Sequence, residues 1–480
     1  MLSGKSSAVL FALLIATSAV VSAQSLETLV NQPPHGAGLA FQLTDGTVLC
    51  QGGNYHDWYK LTPDEFGNYV NGAWSQVASL PSGYYPDAFS SAVLADGRVV
   101  VMGGEYNYGV FVLTNKGAIY DPVANTWTAL GHPKGWPNIG DSPSVVLPSG
   151  NYMIGDKLTT YMAVLDPATL QWTEAPARGK SDFNAEEGWT LLPDGSVLTA
   201  DVKNVPNTEL YTPSTGTWVS EGNTPEPLAA PSTSGPISYP GGVYDPPGEI
   251  GPAVLRPDGT VFATGASNTR AGHSAVYHPA SSPGQPGTWT AGPDFPNDAA
   301  GDSSAALLTN GNVLVLGNSL MLYEFDGTNL TPEFKPTLAF YLMMLPTGQA
   351  ILTGGRIQVY NSIGTYLPAW APAITSYPTA VVRGSTYKIS GTQFNGLSQA
   401  AAYGDESQTA TNYPLVRITN NASGHVFYAR THDHSTMGVA TGSKIVSTNF
   451  DVPATMETGA SSLVVVANGI PSPAVGVTVN

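Results

Sequence analysis

A hairpin that recurs seven times constrains this chain more than any other feature. Its clearest copy, residues 90–104 (SSAVLADGRVVVMGG), reads as a short apolar strand, a tight Asp96-Gly97 turn and a second strand rich in β-branched residues. Asp-Gly between apolar runs is a strong hairpin signal, because glycine accepts the positive φ of such turns. Gly103-Gly104 then ends the second strand where the backbone must bend or approach another segment.

Further copies occupy 40–53, 144–155, 189–200, 253–265, 305–317 and 342–355, turning at Gly46, Gly150, Gly195, Gly259, Gly311 and Gly348. Many hairpins are followed by a second motif, an aromatic or aliphatic residue, a turn and an aromatic. It reads YDPVANTW at 120–127, LDPATLQW at 165–172 and YTPSTGTW at 211–218. Tyr277 to Trp289 is a version with a longer tip, and 323–330 and 360–366 are degenerate copies. A period of roughly 50 residues with several strands per repeat predicts an all-β chain forming a seven-bladed kelch-type β-propeller over 24–367. One blade cannot bury both of its faces, so the ring is the folding unit.

From Pro368 the pattern changes to short alternating strands between turn signals, such as LVRI at 415–418 and HVFY at 425–428. This predicts an immunoglobulin-like β-sandwich over 368–480. Within the propeller, 222–244 is a Pro/Gly/Ser-rich insertion expected to form a loop over one face. The 54–74 stretch, carrying His56, Trp58, Tyr59 and Tyr69, is expected to be a second excursion; its aromatics could contact a ligand, and the preferred reading of them is ordinary packing of blade edges.

Residues 1–23 have the form of an export signal: Lys5, an apolar run over 8–21, and Val21-Ser22-Ala23 before Gln24. A secreted or periplasmic protein is expected. The run is short for a membrane span and no other stretch qualifies. The formal net charge of −17 argues against nucleic acid and anionic membranes as partners. Cys50 is the sole cysteine, which excludes an intramolecular disulfide; on a predicted inner strand it is expected to act as a small buried hydrophobe.

A secreted seven-bladed kelch propeller followed by an early-set sandwich resembles the galactose oxidase and glyoxal oxidase group of copper-radical enzymes. The resemblance implies two tyrosines, two histidines and a cysteine cross-linked to one tyrosine. Counting from the hairpin turns, the cysteine position reads Ser90 in 86–90 (PDAFS), where Asp87 and Phe89 match the family's pattern. The partner tyrosine falls on Asp141, the Tyr-His pair falls on Leu338-Ala339, and the sandwich histidine has its counterpart in His432. Serine forms no thioether, and leucine and alanine bind no metal. Neither copper nor any other cofactor is therefore expected.

A second regularity lies seven to ten residues before each hairpin turn. The occupants are His35, Asp87, Asp141, Glu186 with Glu187, Glu249, Asp302 and Ala339. Innermost strands line a propeller's channel, so these residues are expected to ring one mouth of it. They could bind a cation or a sugar, or supply an acid/base pair. A position repeated blade after blade also has a structural reading, in which each carboxylate accepts backbone N–H bonds. His425, His432 and His434 gather in the sandwich. On a regular strand 432 and 434 share a face and could approach one metal, which a bulge at Asp433 would prevent.

The expected function is a non-catalytic, secreted binding module for a carbohydrate or extracellular polymer. The alternative is an extracellular hydrolase or lyase using the mouth carboxylates, Asp141 and Glu186 first. A rewired copper oxidase ranks last.

Overall fold

The computed structural model describes residues 23–269, 271–280 and 285–480; the export signal over 1–23 falls outside them except for Ala23. Each hairpin belongs to an antiparallel sheet of its own, giving seven sheets arranged as a propeller. Their first strands are Ala40–Gln42, Ser90–Val93, Ser144–Val146, Thr190–Leu191, Ala253–Leu255, Ala305–Leu307 and Ala339–Met344. Ser90–Val93 touches Ala40–Gln42 and Ser144–Val146, and Ala339–Met344 touches both Ala305–Leu307 and Ala40–Gln42, so the first and last sheets meet.

The hairpin turns follow from the glycines. Gly97 holds φ 85° and Gly46 φ 80°, conformations that cost an L-residue strain. The outer strands pair as the aromatic spacing requires: Tyr120 faces Trp127, Leu165 faces Trp172, Tyr211 faces Trp218 and Tyr277 faces Trp289. Apolar side chains from adjacent sheets then interleave. One cluster joins Phe41 and Trp58 of the first sheet to Val99–Met102 of the second and Tyr152 and Ile154 of the third.

The lead-in to the first repeat has a structural task. Ser25–Thr28 pairs antiparallel with Gln358–Asn361, so the N-terminal strand completes the last sheet and closes the ring. The 54–74 stretch is less of an excursion than expected, and its aromatics pack as blade edges. Trp58–Thr62 and Ala73–Val77 are the outer strands of the first sheet, and Trp58 and Tyr69 are fully buried. Aromatic density there serves packing, and a short loop alone projects, with the His56 ring stacked 4.8 Å from Tyr85. The 222–244 insertion folds back as a small hairpin, Ile237–Tyr239 with Gly242–Tyr244. Tyr239 and Tyr244 pack on Phe111 from a loop of the second sheet.

After a 3-10 turn at Pro368–Trp370, the C-terminal strands form a nine-stranded sheet around Ile389, Ile418, Phe450 and Val465. Part of this region leaves that sheet and enters the propeller. Ala401–Ala402 adds a fifth strand to the sixth sheet by pairing with Ala305 and Ala306. The chain beyond it is buried at the centre of the ring. Thr409 donates to the Leu342 carbonyl at 3.1 Å and the Tyr413 hydroxyl donates to that of Gln42. The Leu191 amide donates to Gln399 at 2.8 Å.

Candidate functional site

The central segment leaves one open space at the ring mouth, a cavity of about 260 Å³. It is built from strand starts. Ala88, Glu186, Asp302 and Leu338 adopt left-handed backbone at φ 49°, 60°, 49° and 53°, and Gly36 and Gly140 do so at the matching points of their sheets. A left-handed residue breaks the two-residue alternation of a strand, and strain of this kind gathers at functional sites. At or beside these kinks, Asp87, Asp141, Glu186 and Asp302 line the cavity, joined by Glu249.

Five of the eight residues singled out from the sequence thus converge. The other three do not line the cavity. Glu187 turns the opposite way from Glu186 and is buried against Lys180, 2.9 Å away, which also binds Glu209 at 2.7 Å. His35 is 53% exposed and lies 3.6 Å from Asp57. His432 ends its strand on the C-terminal sheet, held between Asp433 at 2.7 Å and Asp451 at 3.2 Å. Asp433 has φ 52°, the irregularity that sends His434 into the core. There His434 stacks on Tyr413 and its Nδ1 pairs with the Thr448 hydroxyl at 2.9 Å. The two histidines therefore do not face one metal.

Sequence reasoning missed Glu105, Tyr106, Tyr341, Tyr403, Asp405 and Glu406, which complete the lining, and Lys157 beneath it. Glu105 and Lys157 follow the second strands of the second and third hairpins. In an antiparallel pair, that exit lies at the same end as the start of the first strand, so the repeat pattern contained a signal for both.

Lys157 is fully buried. Its ammonium donates to Asp141 and, at 2.6 Å, to Glu186. The Tyr244 hydroxyl from the insertion hairpin also donates to Glu186 at 2.6 Å. Burial pushes Glu186 up, but Lys157 and these hydrogen bonds outweigh it and hold the carboxyl below its ordinary range. Asp141, sharing the same ammonium without the tyrosine, is driven well up by burial. Glu186 is thus the ionised member of the pair. Burial and the neighbouring Glu186 and Asp302 charges raise Glu249 to about 9, and burial raises Glu406 to about 7. Crowded, desolvated carboxyls disfavour one another's charge, so the cavity retains protons at neutral pH.

Beside the cavity lies an aromatic shelf. Pro86–Asp87 pairs with Tyr106–Asn107, and the residues flanking those strands, Tyr85 and Tyr108, lie 4.2 Å apart in a tilted pair. His56 extends the shelf, and more than half of Tyr108 is exposed.

No family model matches the chain. It is 25% identical over 238 residues to galactose oxidase of Gibberella zeae, covering 46% of this chain and 32% of that protein's length. A kelch-like protein, terF of Aspergillus terreus, is 26% identical over 129 residues, 26% of either chain. A solved fungal alcohol oxidase of the AA5 family, in complex with copper, superposes on 96% of this chain and 100% of its own with TM-score 0.51 at 15% identity. This is a galactose oxidase-like kelch propeller. The shared feature is the fold, and the chain spans about a third of the galactose oxidase it matches.

The donors present in this kelch propeller do not fit a copper-radical centre. Ser90 is buried and gives its hydroxyl to the Ser142 carbonyl. Asp141 is engaged by Lys157, while Leu338 and Ala339 offer no ligand atom. The C-terminal segment at the cavity, 403–411 (YGDESQTAT), holds no histidine, and His432 is elsewhere. The side chains that can donate to a ligand in the cavity are carboxyls and phenols, with neither imidazole nor thiol among them.

Proposed function

We propose that the mouth cavity binds a polyhydroxylated ligand, a carbohydrate or extracellular polymer, without oxidising it. One observation carries this reading: eight carboxyl groups and three phenols converge on a single open cavity beside an aromatic shelf. Carboxylates accept hydrogen bonds from vicinal hydroxyls, protonated carboxyls and phenols donate them, and a sugar's apolar face packs on an aromatic ring. A small number of oriented polar groups in a concave, largely preformed site is the usual architecture of specific ligand binding. The leader-like pattern over residues 1–23 supports a protein working outside the cell.

A hydrolase or lyase using Asp141 and Glu186 has less support. Both carboxyls bind one ammonium, so neither is free to exchange a proton with substrate.

The test is a glycan array with polysaccharide pull-downs, comparing wild type with Tyr108→Ala and Glu249→Gln. Retention of a glycan class by wild type, weakened in both variants, is expected. Blank arrays and pull-downs, or binding unchanged in both variants, would remove the reading.

A further inference from the structure

Among the described residues, three groups of carboxyls place oxygens within 4.8 Å of one another: Asp141, Glu186 and Asp405; Glu187, Asp201 and Glu209; and Asp302, Asp405 and Glu406. A fully buried lysine serves each of the first two, Lys157 in one and Lys180 in the other. The third differs. No lysine, arginine or histidine forms an ion pair with Asp302, Asp405 or Glu406 among the described residues.

A second observation bears on the same place. Asp405 is 4% exposed, and its Oδ1 has no hydrogen-bond partner although the side chain lines the cavity. A buried carboxylate oxygen without a partner is costly; Asp141 and Asp201 each carry one too, but a lysine ammonium offsets the charge in their groups, whereas none is paired with this one. Glu406 is oriented by the Ser407 hydroxyl at 3.0 Å, and Asp302 is fixed by its kink, its carbonyl accepting from the Tyr403 hydroxyl at 3.1 Å. We propose that Asp302, Asp405 and Glu406 bind a hard divalent cation, calcium by preference.

Chemistry and size favour calcium. An all-oxygen donor set suits a hard ion, and calcium accepts six to eight oxygens in irregular geometry at about 2.3–2.6 Å. Calcium tolerates irregular, partly water-filled shells, whereas magnesium at about 2.0–2.1 Å demands a near-ideal octahedron, and three carboxyls from two separate segments impose no such geometry. The cavity of about 260 Å³ has room for the waters, or the ligand hydroxyls, that would fill the remaining positions. The site stands independently of the glycan reading, because the metal is probed alone.

The test uses the full chain freed of metal by chelator. Terbium is titrated with tyrosine excitation, since Tyr341 and Tyr403 line the same cavity, and calcium is then used to displace it; calcium is also titrated alone by calorimetry. One saturable site is expected, weakened about tenfold or more in Asp302→Asn and in Glu406→Gln. Asp302 lies open at the rim, so its variant retains the fold and decides the matter even where the Glu406 variant does not fold. No saturable binding of calcium up to about 10 mM, beyond the ~10⁻⁴–10⁻³ M range of extracellular calcium modules, would overturn the proposal. Binding unchanged in Asp302→Asn would do the same.

Discussion

The residue with most at stake in this propeller is Lys157. Its charge is tolerable in the interior only because Asp141 and Glu186 hold it, and they in turn depend on it. Lys157→Met is expected to cost about 3–5 kcal/mol, read as a lower urea midpoint, because it leaves the Glu186 carboxylate buried without its counter-charge and Asp141 without its donor. Adding Asp141→Asn and Glu186→Gln to it should recover part of that loss; no recovery would mean that packing, not charge, is what Lys157 supplies. From sequence, Lys157 reads as a surface lysine following a strand. The carboxyls were legible because they recur with the repeat. Lys157 occurs in one hairpin, and its burial depends on a tyrosine, Tyr244, from an insertion 87 residues on.

At the scale of elements, hairpins with glycine turns and paired aromatics were legible because each signal is local. The N-terminal closing strand was not. Ser25–Thr28 (SLET) has no β-branched alternation, and its partner at 358–361 lies more than 300 residues away. Deleting residues 23–28 should expose Gln358–Asn361 as an open edge and cost roughly 2–4 kcal/mol, a few backbone hydrogen bonds' worth. The deletion should lower the thermal midpoint; an unchanged midpoint would mean that the ring closes through its inner strands alone. The segment 398–413 was hidden for a related reason. A polar stretch such as GDESQTATN reads as an exposed loop, and only the ring around it supplies partners for its backbone and side chains. That segment carries Asp405 and Glu406, which is why counting along the C-terminal strands reached His432 instead.

Across the whole molecule, the acidic mouth links stability to pH. Glu249 titrates at 4.5 when unperturbed and at about 9 in the fold. Between those values the folded state holds a proton that the unfolded chain has released, so this contribution is full below 4.5 and is lost as pH rises towards 9. His434 works in the other direction. Burial lowers it from 6.5 to about 3, so its contribution is lost as pH falls below 6.5. The two terms offset each other between about pH 4.5 and 6.5, so the thermal midpoint should be roughly level there and decline from about pH 6.5 towards 9, with the alkaline decline reduced in Glu249→Gln. A midpoint flat from pH 6 to 9 in wild type would contradict the charge assignment at the mouth.

The central claim is that this propeller keeps the oxidase architecture while its mouth carries carboxyl and phenol chemistry instead of a copper-radical centre. The most direct measurement is peroxide release after copper loading, assayed with galactose, glyoxal and simple alcohols. The account predicts no stoichiometric copper and no peroxide above a copper-only control. Stoichiometric copper with substrate-dependent peroxide would mean that oxidase chemistry operates on donors other than Ser90, Asp141, Leu338 and Ala339, and would contradict it.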